Sequence, residues 1–270
     1  VGVHTTQFAI RNPGIDLLEP VLRLAAEEVR RMEPKRPFLL VAGICGETEQ
    51  ALREAELARN LGYHLGLLSP GGLGHLSEEA LLERAERVAE IIPLFGFYLQ
   101  PAVGGRELSF DYWKAFAEIP EVEAIKIAPF DRYRTMDVVR AVCHSSRRDE
   151  IALYTGNDDN ILSDLLTLFR FTVDGMVVEK RIVGGLLGQW AVWTRKAVEL
   201  LDEIKRVRKW NAIPVELLAL GNRLTDANSA LFDAANHFRG CVPGIHEILR
   251  RQGLLEGRWC LDPEEELSPG

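Results

Sequence analysis

The chain has 270 residues, of which 47% are hydrophobic and 27% charged, and its formal net charge at pH 7 is −8. This length provides a sizeable core and fits either two small domains or one barrel-sized domain. The acidic balance argues against nucleic acid or an anionic membrane as the main partner, and no apolar run approaches the roughly 20 residues of a membrane span. The cysteines lie far apart without a CxxC pair. That pattern indicates reduced thiols in a cytoplasmic protein, with no metal site.

Short apolar runs alternate with longer amphipathic segments along most of the chain. The runs are rich in Val, Ile, Leu and aromatic residues and are bounded by Gly and Pro, so each predicts a buried strand. They are PFLLVAG (37–43), YHLGLLS (63–69), PLFGFYLQ (93–100), VEAIKIAP (122–129), EIALYTG (150–156) and VDGMVVE (173–179). The N-terminal VGVH adds a seventh predicted strand.

The segments between these strands have helical periodicity. ETEQALREAELARNLG (47–62) carries apolar residues at helical spacing and ends at Gly62, a residue type that commonly terminates helices. SEEALLERAERVAEI (77–91) opens with Ser77 as the expected N-cap and has acidic residues in its first turn. Further helices are predicted over 109–118, 132–143 and 158–169.

The spacing of the predicted strands indicates a parallel sheet. Successive strands begin roughly 22–30 residues apart, which suits repeated βαβ units. A (β/α)8 barrel is the economical way to close such a sheet. A doubly wound open sheet is the alternative, although it usually carries a Gly-rich phosphate turn that this sequence lacks.

The last part of the chain is predicted to be helical. LLGQWAVWTRKAVELLDEIKRVRKW (186–210) predicts one long helix, and no eighth strand follows it. We therefore expect residues 1–190 to form a barrel that lacks its first strand and helix, and residues 191–270 to form a helical extension packed on it. We also expect a full-length chain to supply another strand and helix before Val1.

Lys126 lies between two isoleucines in a stretch that otherwise predicts a buried strand. Because strand side chains alternate between faces, Lys126 shares a face with Ala124 and Ala128. Small neighbours leave room above an amine at the end of the strand where barrel enzymes hold their chemistry. A desolvated lysine has a lowered pKa, so part of it is neutral amine that can attack a carbonyl. The alternatives are a lysine that extends its amine to the strand end or pairs with a carboxylate.

The preceding predicted strand carries a tyrosine that suits the same chemistry. Gly96, Tyr98 and Gln100 share one of its faces. We expect this more polar face to be the one that Lys126 occupies, so that Tyr98 exchanges protons with a carbinolamine at the lysine. The alternative is a core tyrosine with a satisfied hydroxyl.

These residues together resemble the motifs of the dihydrodipicolinate synthase and N-acetylneuraminate lyase family of class I aldolases and lyases. YLQP (98–101) resembles the family's YNxP on the fifth strand, and AIK (124–126) resembles its G(I/L)K on the sixth. HTTQF (4–8) resembles the GTTGE that follows the second strand, and TGND (155–158) resembles the sGdD that follows the seventh. The match runs over essentially the whole chain.

The resemblance implies a (β/α)8 barrel with a helical C-terminal extension, in a homo-oligomer (dimer or tetramer) that needs no cofactor. Lys126 is then expected to form an imine with a 2-oxo acid, usually pyruvate. The protonated imine acts as an electron sink for the neighbouring carbon. Tyr98 is expected to be the general acid and base, and Thr5 to extend the proton relay.

The resemblance also implies residues that bind the substrate. Thr6 and nearby backbone N–H groups are expected to hold the carboxylate of the 2-oxo acid. Val177 is expected to present its backbone near the substrate. Gly156 and Asn157 are expected to face the second substrate, or the distal half of a longer one.

Departures from the motifs argue against dihydrodipicolinate synthase activity itself. SPGGLGHLS (69–77) has no tyrosine where those enzymes carry them, and Gln7 and Phe8 replace the Gly-Glu pair. Val103 occupies the position of an arginine that binds the aldehyde substrate's carboxylate, and the nearest arginine is Arg106. We therefore expect a different aldolase or lyase for 2-oxo acids, or a dehydratase of a sugar acid. The alternative is a non-catalytic relative that binds a 2-oxo acid or serves in regulation.

Overall fold

A computed structural model describes residues 8–269, which divide into two compact units. The first unit comprises the described residues up to Lys126 together with Met136–Ala152. The second unit comprises Ile127–Thr135 and the described residues from Leu153 onward. The predicted strand at VGVH lies outside the described residues. The predicted division into 1–190 and 191–270 stays a prediction.

The first unit alternates strands with helices, as the sequence predicts. Its strands are β1 (Val41–Ile44), β2 (Leu65–Leu68), β3 (Leu94–Leu99) and β4 (Val122–Ala128), whose last residues belong to the second unit. Its helices are α1 (Leu18–Met32), α2 (Thr48–Asn60), α3 (Glu78–Ala89), α4 (Phe110–Glu118) and most of α5 (Arg132–Cys143). β1, β2 and β3 pair in parallel in that order.

Local sequence signals fix the ends of the helices that flank β2. The hydroxyl of Ser77 accepts the backbone N–H of Ala80 at 3.2 Å, so the predicted N-cap of α3 is confirmed. Gly62 follows α2 with φ +84°, a left-handed conformation that costs glycine nothing. α2 buries a face of small residues, among them Ala51, Ala55 and Ala58.

The second unit holds the remaining strands and helices. Its strands are β5 (Ala152–Thr155, of which Ala152 belongs to the first unit), β6 (Phe169–Val173), β7 (Met176–Lys180) and β8 (Ile182–Gly185). Its helices are α6 (Ile161–Leu166), α7 (Gln189–Val192), α8 (Thr194–Val207), α9 (Val215–Leu231) and α10 (Cys241–Arg251). β5 pairs in parallel with β8.

The strands fall into a six-stranded parallel sheet and a separate hairpin. Hydrogen bonding orders the parallel strands as β1-β2-β3-β4-β5-β8, while β6 and β7 pair antiparallel with each other. The predicted α/β architecture with alternating strands and helices is therefore confirmed.

The prediction of a buried strand over 173–179 is wrong. Its residues belong to the end of β6, the turn at Asp174 and Gly175, and β7. Both turn residues have positive φ, +49° and +79°, which matches the tight turn that an Asp-Gly pair favours between antiparallel strands. β8, not this segment, is the neighbour of β5.

The prediction of one long helix over 186–210 is also wrong, because the helix is interrupted at Trp193. Trp193 has φ −129° and ψ 43°, outside the helical range. The carbonyl of Val192 accepts a hydrogen bond from the side chain of Gln252, which stabilises the end of α7. Within 8–269, every helix falls short of the length and apolarity that crossing a membrane requires.

Candidate active site

Lys126 lies in β4 and is only 6% exposed. Its neighbours on the same face, Ala124 and Ala128, are buried, as the alternation predicts. A charged amine inside a strand is costly unless it is stabilised by its surroundings. The burial of Lys126 therefore points to a specific role for its side chain.

The side chain of Lys126 lies against an aromatic ring of the adjacent strand. Its Nζ atom is 4.3 Å from the centroid of the Phe97 ring, within the distance at which a cation is attracted to a ring face. Phe97 belongs to β3 and is itself buried. Phe97 and Lys126 therefore occupy the same face of the sheet.

Tyr98, the next residue of β3, packs against helix α4 instead. Its ring centroid is 5.4 Å from that of Trp113. A side chain at Gly96, two residues earlier on the same face, would meet the ring of Phe116 at 2.6 Å. The expectation that this face is shared with Lys126 is therefore wrong. The reason is packing: the large aromatic residues of α4 need a glycine and a flat ring opposite them.

The hydroxyl of Tyr98 meets the loop that follows β3. It accepts the backbone N–H of Leu108 at 3.3 Å in a buried position. This β3–α4 loop (100–109) returns to the strand end through a hydrogen bond from Gly105 N to the carbonyl of Gln100, 3.0 Å. A side chain at Gly105 would lie 2.0 Å from the carbonyl oxygen of Leu99, so only glycine fits there.

Two charged side chains hold the β3–α4 loop against the start of α3 and the segment before it. Arg106 Nη1 donates to the carbonyls of Leu76 (2.5 Å) and Leu73 (3.3 Å). The carboxylate of Glu78 accepts the backbone N–H of Ser109 at 2.7 Å and its hydroxyl at 2.5 Å. The loop that carries Leu108 is thus fixed on both sides of that residue.

In the second unit, Asn157 is buried and its side chain is fully engaged. Its Oδ1 accepts the backbone N–H of Phe130 at 3.0 Å, and its Nδ2 donates to Thr135 (3.1 Å) and Asp164 (3.0 Å). Gly156 N donates to the carbonyl of Ile127 at 2.7 Å. The predicted contacts of Gly156 and Asn157 with a second substrate stay predictions.

Asp164 is the acceptor at the centre of this network and is 1% exposed. Its carboxylate accepts hydrogen bonds from the following groups: Arg132 Nη1 (2.5 Å), Thr155 Oγ1 (2.6 Å), Asn157 Nδ2 (3.0 Å) and Asn160 Nδ2 (3.1 Å). Burial, with a smaller contribution from the Asp164 charge, raises the pKa of nearby Asp159.

The other predicted site residues have different positions. Val177 lies in the hairpin strand β7 with 67% of its surface exposed, and its role stays a prediction. Thr5 and Thr6 lie outside the described residues. Among residues 8–269, no group of three or more His, Cys, Asp or Glu side chains is arranged to hold a metal ion.

Three residues described above, Phe97, Leu108 and Asp164, are not among the predicted site residues. Phe97 is next to Tyr98 in the sequence and therefore lies on the other face of β3. Which of the two faces adjoins Lys126 is decided by packing against α4. A carboxylate inside the apolar segment ILSDLL was a signal that Asp164 is buried and bonded. The contact at Leu108 is made by its backbone N–H, which nearly every residue type has, so the sequence cannot indicate it.

The fold is shared with solved structures of dihydrodipicolinate synthases and of an N-acetylneuraminate lyase. The chain superposes on dihydrodipicolinate synthase from Bacteroides thetaiotaomicron with a TM-score of 0.73 at 13% identity, covering 94% of this chain and 76% of that one. The chloride-inhibited synthase from Acinetobacter baumannii complexed with pyruvate superposes with a TM-score of 0.73 at 21% identity, covering 98% of this chain and 80% of that one. N-acetylneuraminate lyase from Mycoplasma synoviae superposes with a TM-score of 0.65 at 16% identity, covering 93% of this chain and 73% of that one.

The chain therefore has the α/β fold of dihydrodipicolinate synthase and N-acetylneuraminate lyase, the fold that the sequence motifs predict. No protein-family model matches the chain, and a comparison with curated proteins finds no match.

Proposed function

We propose that this protein belongs to the dihydrodipicolinate synthase and N-acetylneuraminate lyase family and is a class I lyase or aldolase acting on pyruvate or a related 2-oxo acid. The observation that carries the proposal is Lys126, an amine buried within β4 of a fold shared with such enzymes. A solved structure with this fold, the synthase from Acinetobacter baumannii, is a complex with pyruvate.

In this proposal the neutral amine of Lys126 attacks the C2 carbonyl of the 2-oxo acid. The carbinolamine loses water, and the resulting protonated imine withdraws electrons from the neighbouring carbon. Loss of a proton or cleavage of a C–C bond at that carbon gives an enamine, which then takes up a proton or an electrophile. Tyr98 and Thr5 are proposed, from the family motifs, to transfer the protons, and Thr6 to bind the carboxylate. Because the ring of Tyr98 packs against α4, this role requires its hydroxyl, at the end of β3, to reach the carbinolamine.

The part of the proposed site that would bind a second substrate differs from that of dihydrodipicolinate synthase. Arg106, the arginine nearest the position that would bind an aldehyde's carboxylate, is engaged with the carbonyls of Leu73 and Leu76. This supports a reaction partner other than that aldehyde. Gly156, Asn157 and Val177 are the residues proposed to contact the distal part of the substrate, in an aldol cleavage, a condensation or a dehydration.

Borohydride trapping tests the proposal directly. The protein is incubated with pyruvate and sodium borohydride, digested, and mapped by mass spectrometry. We expect one reduced pyruvate adduct, on Lys126, and none in Lys126→Arg. Lys114, an exposed lysine of α4, provides the matched control, because Lys114→Arg should leave the adduct unchanged. An adduct on another lysine, or no adduct, contradicts the proposal.

Turnover separates an enzyme from a non-catalytic relative. An enzyme with this mechanism exchanges the methyl protons of pyruvate with deuterium from D2O, because the enamine forms reversibly. A binding protein would show a raised Tm with pyruvate but no exchange and no adduct. A homo-oligomer in the cytoplasm stays a prediction, and light scattering of the purified protein measures its oligomeric state.

A further inference from the structure

The ring of Phe97 presents its face to the nitrogen of Lys126. The centroid lies 4.3 Å from Nζ, and both residues belong to the first unit. An aromatic ring carries partial negative charge on its faces, so a cation at this distance is attracted to it. The same nitrogen is the atom that becomes part of the imine in the proposed reaction.

Burial makes this contact stronger than it would be at the surface. Phe97 is 2% exposed and Lys126 is 6% exposed. Electrostatic interactions strengthen where water is excluded, so the attraction between a cation and a ring face is stronger at a desolvated contact than at an exposed one. The same burial disfavours a positive charge on the nitrogen.

We propose that Phe97 is a further catalytic residue, whose ring face stabilises the positively charged forms of the Lys126 nitrogen and above all the protonated imine. This inference rests on the proposed function, because the protonated imine forms only when Lys126 reacts with the 2-oxo acid. A neutral imine withdraws electrons poorly, so a buried site needs a group that keeps the imine protonated. The ring face of Phe97 stabilises this charge, and an uncharged ring does not repel the substrate's own carboxylate.

Graded fluorination tests the role of the ring face. Site-specific incorporation of 4-fluoro-, 3,5-difluoro- and 3,4,5-trifluorophenylalanine at position 97 withdraws charge from the ring face in steps while its shape changes little. Trace labelling of Lys126 with acetic anhydride, without pyruvate, gives the pH at which its amine is half reactive. We expect this midpoint to fall stepwise, by about 0.5–1 pH unit over the series.

Pyruvate binding gives the second readout. Above the labelling midpoint Lys126 starts as a neutral amine, and trapping measures formation of the charged imine from it. We expect the apparent Kd for pyruvate to rise stepwise, by roughly three- to tenfold over the series. Phe97→Leu, which keeps an apolar side chain but removes the ring, should resemble the most fluorinated variant.

Phe116 is the matched control position. It is 1% exposed, like Phe97, but lies on α4 against Trp113. The same fluorinated series at Phe116 should leave both the labelling midpoint and the pyruvate Kd unchanged. A response at Phe116 equal to that at Phe97 would show a general effect of fluorination and would overturn the inference.

The outcomes separate this inference from the proposed function. A flat midpoint and a flat Kd across the Phe97 series, with pyruvate still trapped on Lys126, overturn the inference and leave the proposed function standing. A wild-type protein that traps no pyruvate on Lys126 overturns the proposed function and with it the catalytic role of Phe97. A stepwise shift in both readouts supports the two together.

Discussion

Arg11 and Glu54 form a two-point ion pair, with Nε–Oε1 at 2.7 Å and Nη2–Oε2 at 3.0 Å. Their side chains are 9% and 7% exposed. Glu54 also accepts the backbone N–H of Cys45 and the side-chain amide of Gln50, and Arg11 donates to the carbonyl of Gly43. This pair therefore anchors the first described turn of the chain to α2 and to the end of β1.

Removing one partner of this pair should destabilise the protein strongly. In Glu54→Ala the guanidinium of Arg11 stays buried without its counter-charge, and such a loss costs about 3–5 kcal/mol. The free energy of unfolding in urea measures it. The control is Glu19→Ala, which removes the exposed pair of Glu19 with Arg23, with 51–52% exposure, and should cost less than about 1 kcal/mol. Equal losses in the two variants would contradict the assignment.

Arg106 should act on the proposed reaction through Tyr98. Arg106→Met releases the β3–α4 loop, so the Leu108 N–H no longer supports the Tyr98 hydroxyl. We expect trapping of pyruvate on Lys126 to slow roughly tenfold, the effect of about 1.4 kcal/mol. Arg106→Lys, which can still donate to both carbonyls, should retain most of the rate.

Two controls show whether the effect passes through the tyrosine. In a Tyr98→Phe background, Arg106→Met should slow trapping little further, because the hydroxyl that the loop supports is already absent. Arg87→Met, which removes an exposed pair with Glu49, should leave trapping unchanged. A full additional loss in the Tyr98→Phe background would show that Arg106 acts by another route.

The sequence predicted the positions of the main strands better than the faces they present. Alternation in β4 correctly grouped Lys126 with the alanines because that strand has two chemically distinct faces. In β3 both faces carry aromatic residues, so composition could not show that Tyr98 faces α4. Packing of Gly96 against Phe116 and of Tyr98 against Trp113 determines which face of β3 adjoins α4. This packing joins residues that are distant in sequence, so the pattern of one strand does not reveal it.

The hairpin and the Asp164 network show two other limits. VDGMVVE has the apolar content of a buried strand, but its Asp-Gly pair at 174–175 is also a turn signal that could have divided it. Asp164 accepts hydrogen bonds both from nearby Asn160 and from Arg132, which lies 32 residues earlier in the chain. No periodic pattern in the sequence links residues so far apart. Thr5 and Thr6 rest on the family resemblance alone.

Stability should fall at alkaline pH because of a buried thiol. Burial raises the pKa of Cys45 to about 11, from an ordinary value of 9.0. The folded state therefore favours the neutral thiol, while the unfolded chain gains thiolate as the pH passes about 9. We expect Cys45 to contribute a loss of about 1.4 kcal/mol between pH 8 and pH 10, measured by urea unfolding at both values.

The Cys45→Ala variant isolates this contribution. It lacks the thiol, so its stability should fall less steeply over the same pH range, whatever its stability at pH 8. Cys241, whose pKa burial raises to about 12, acts in the same direction and should account for part of the remaining slope. A slope in Cys45→Ala equal to that of the wild type would contradict the prediction.

Asp164 should be essential to the second unit as a charged acceptor. Asp164→Asn keeps the shape of the side chain but replaces one acceptor oxygen by an amide that donates. The new amide N–H groups would face either the donors of Thr155 and Asn157 or those of Arg132 and Asn160. At least one buried hydrogen bond is lost whichever way the amide is turned. We expect a loss of about 3 kcal/mol in the free energy of unfolding in urea. Asp137→Asn is the matched control, since Asp137 pairs with Arg140 at 3.1 Å with 32–41% exposure and should contribute less than about 1 kcal/mol. Similar losses in the two variants would mean that the Asp164 carboxylate is replaceable by any polar group of its shape.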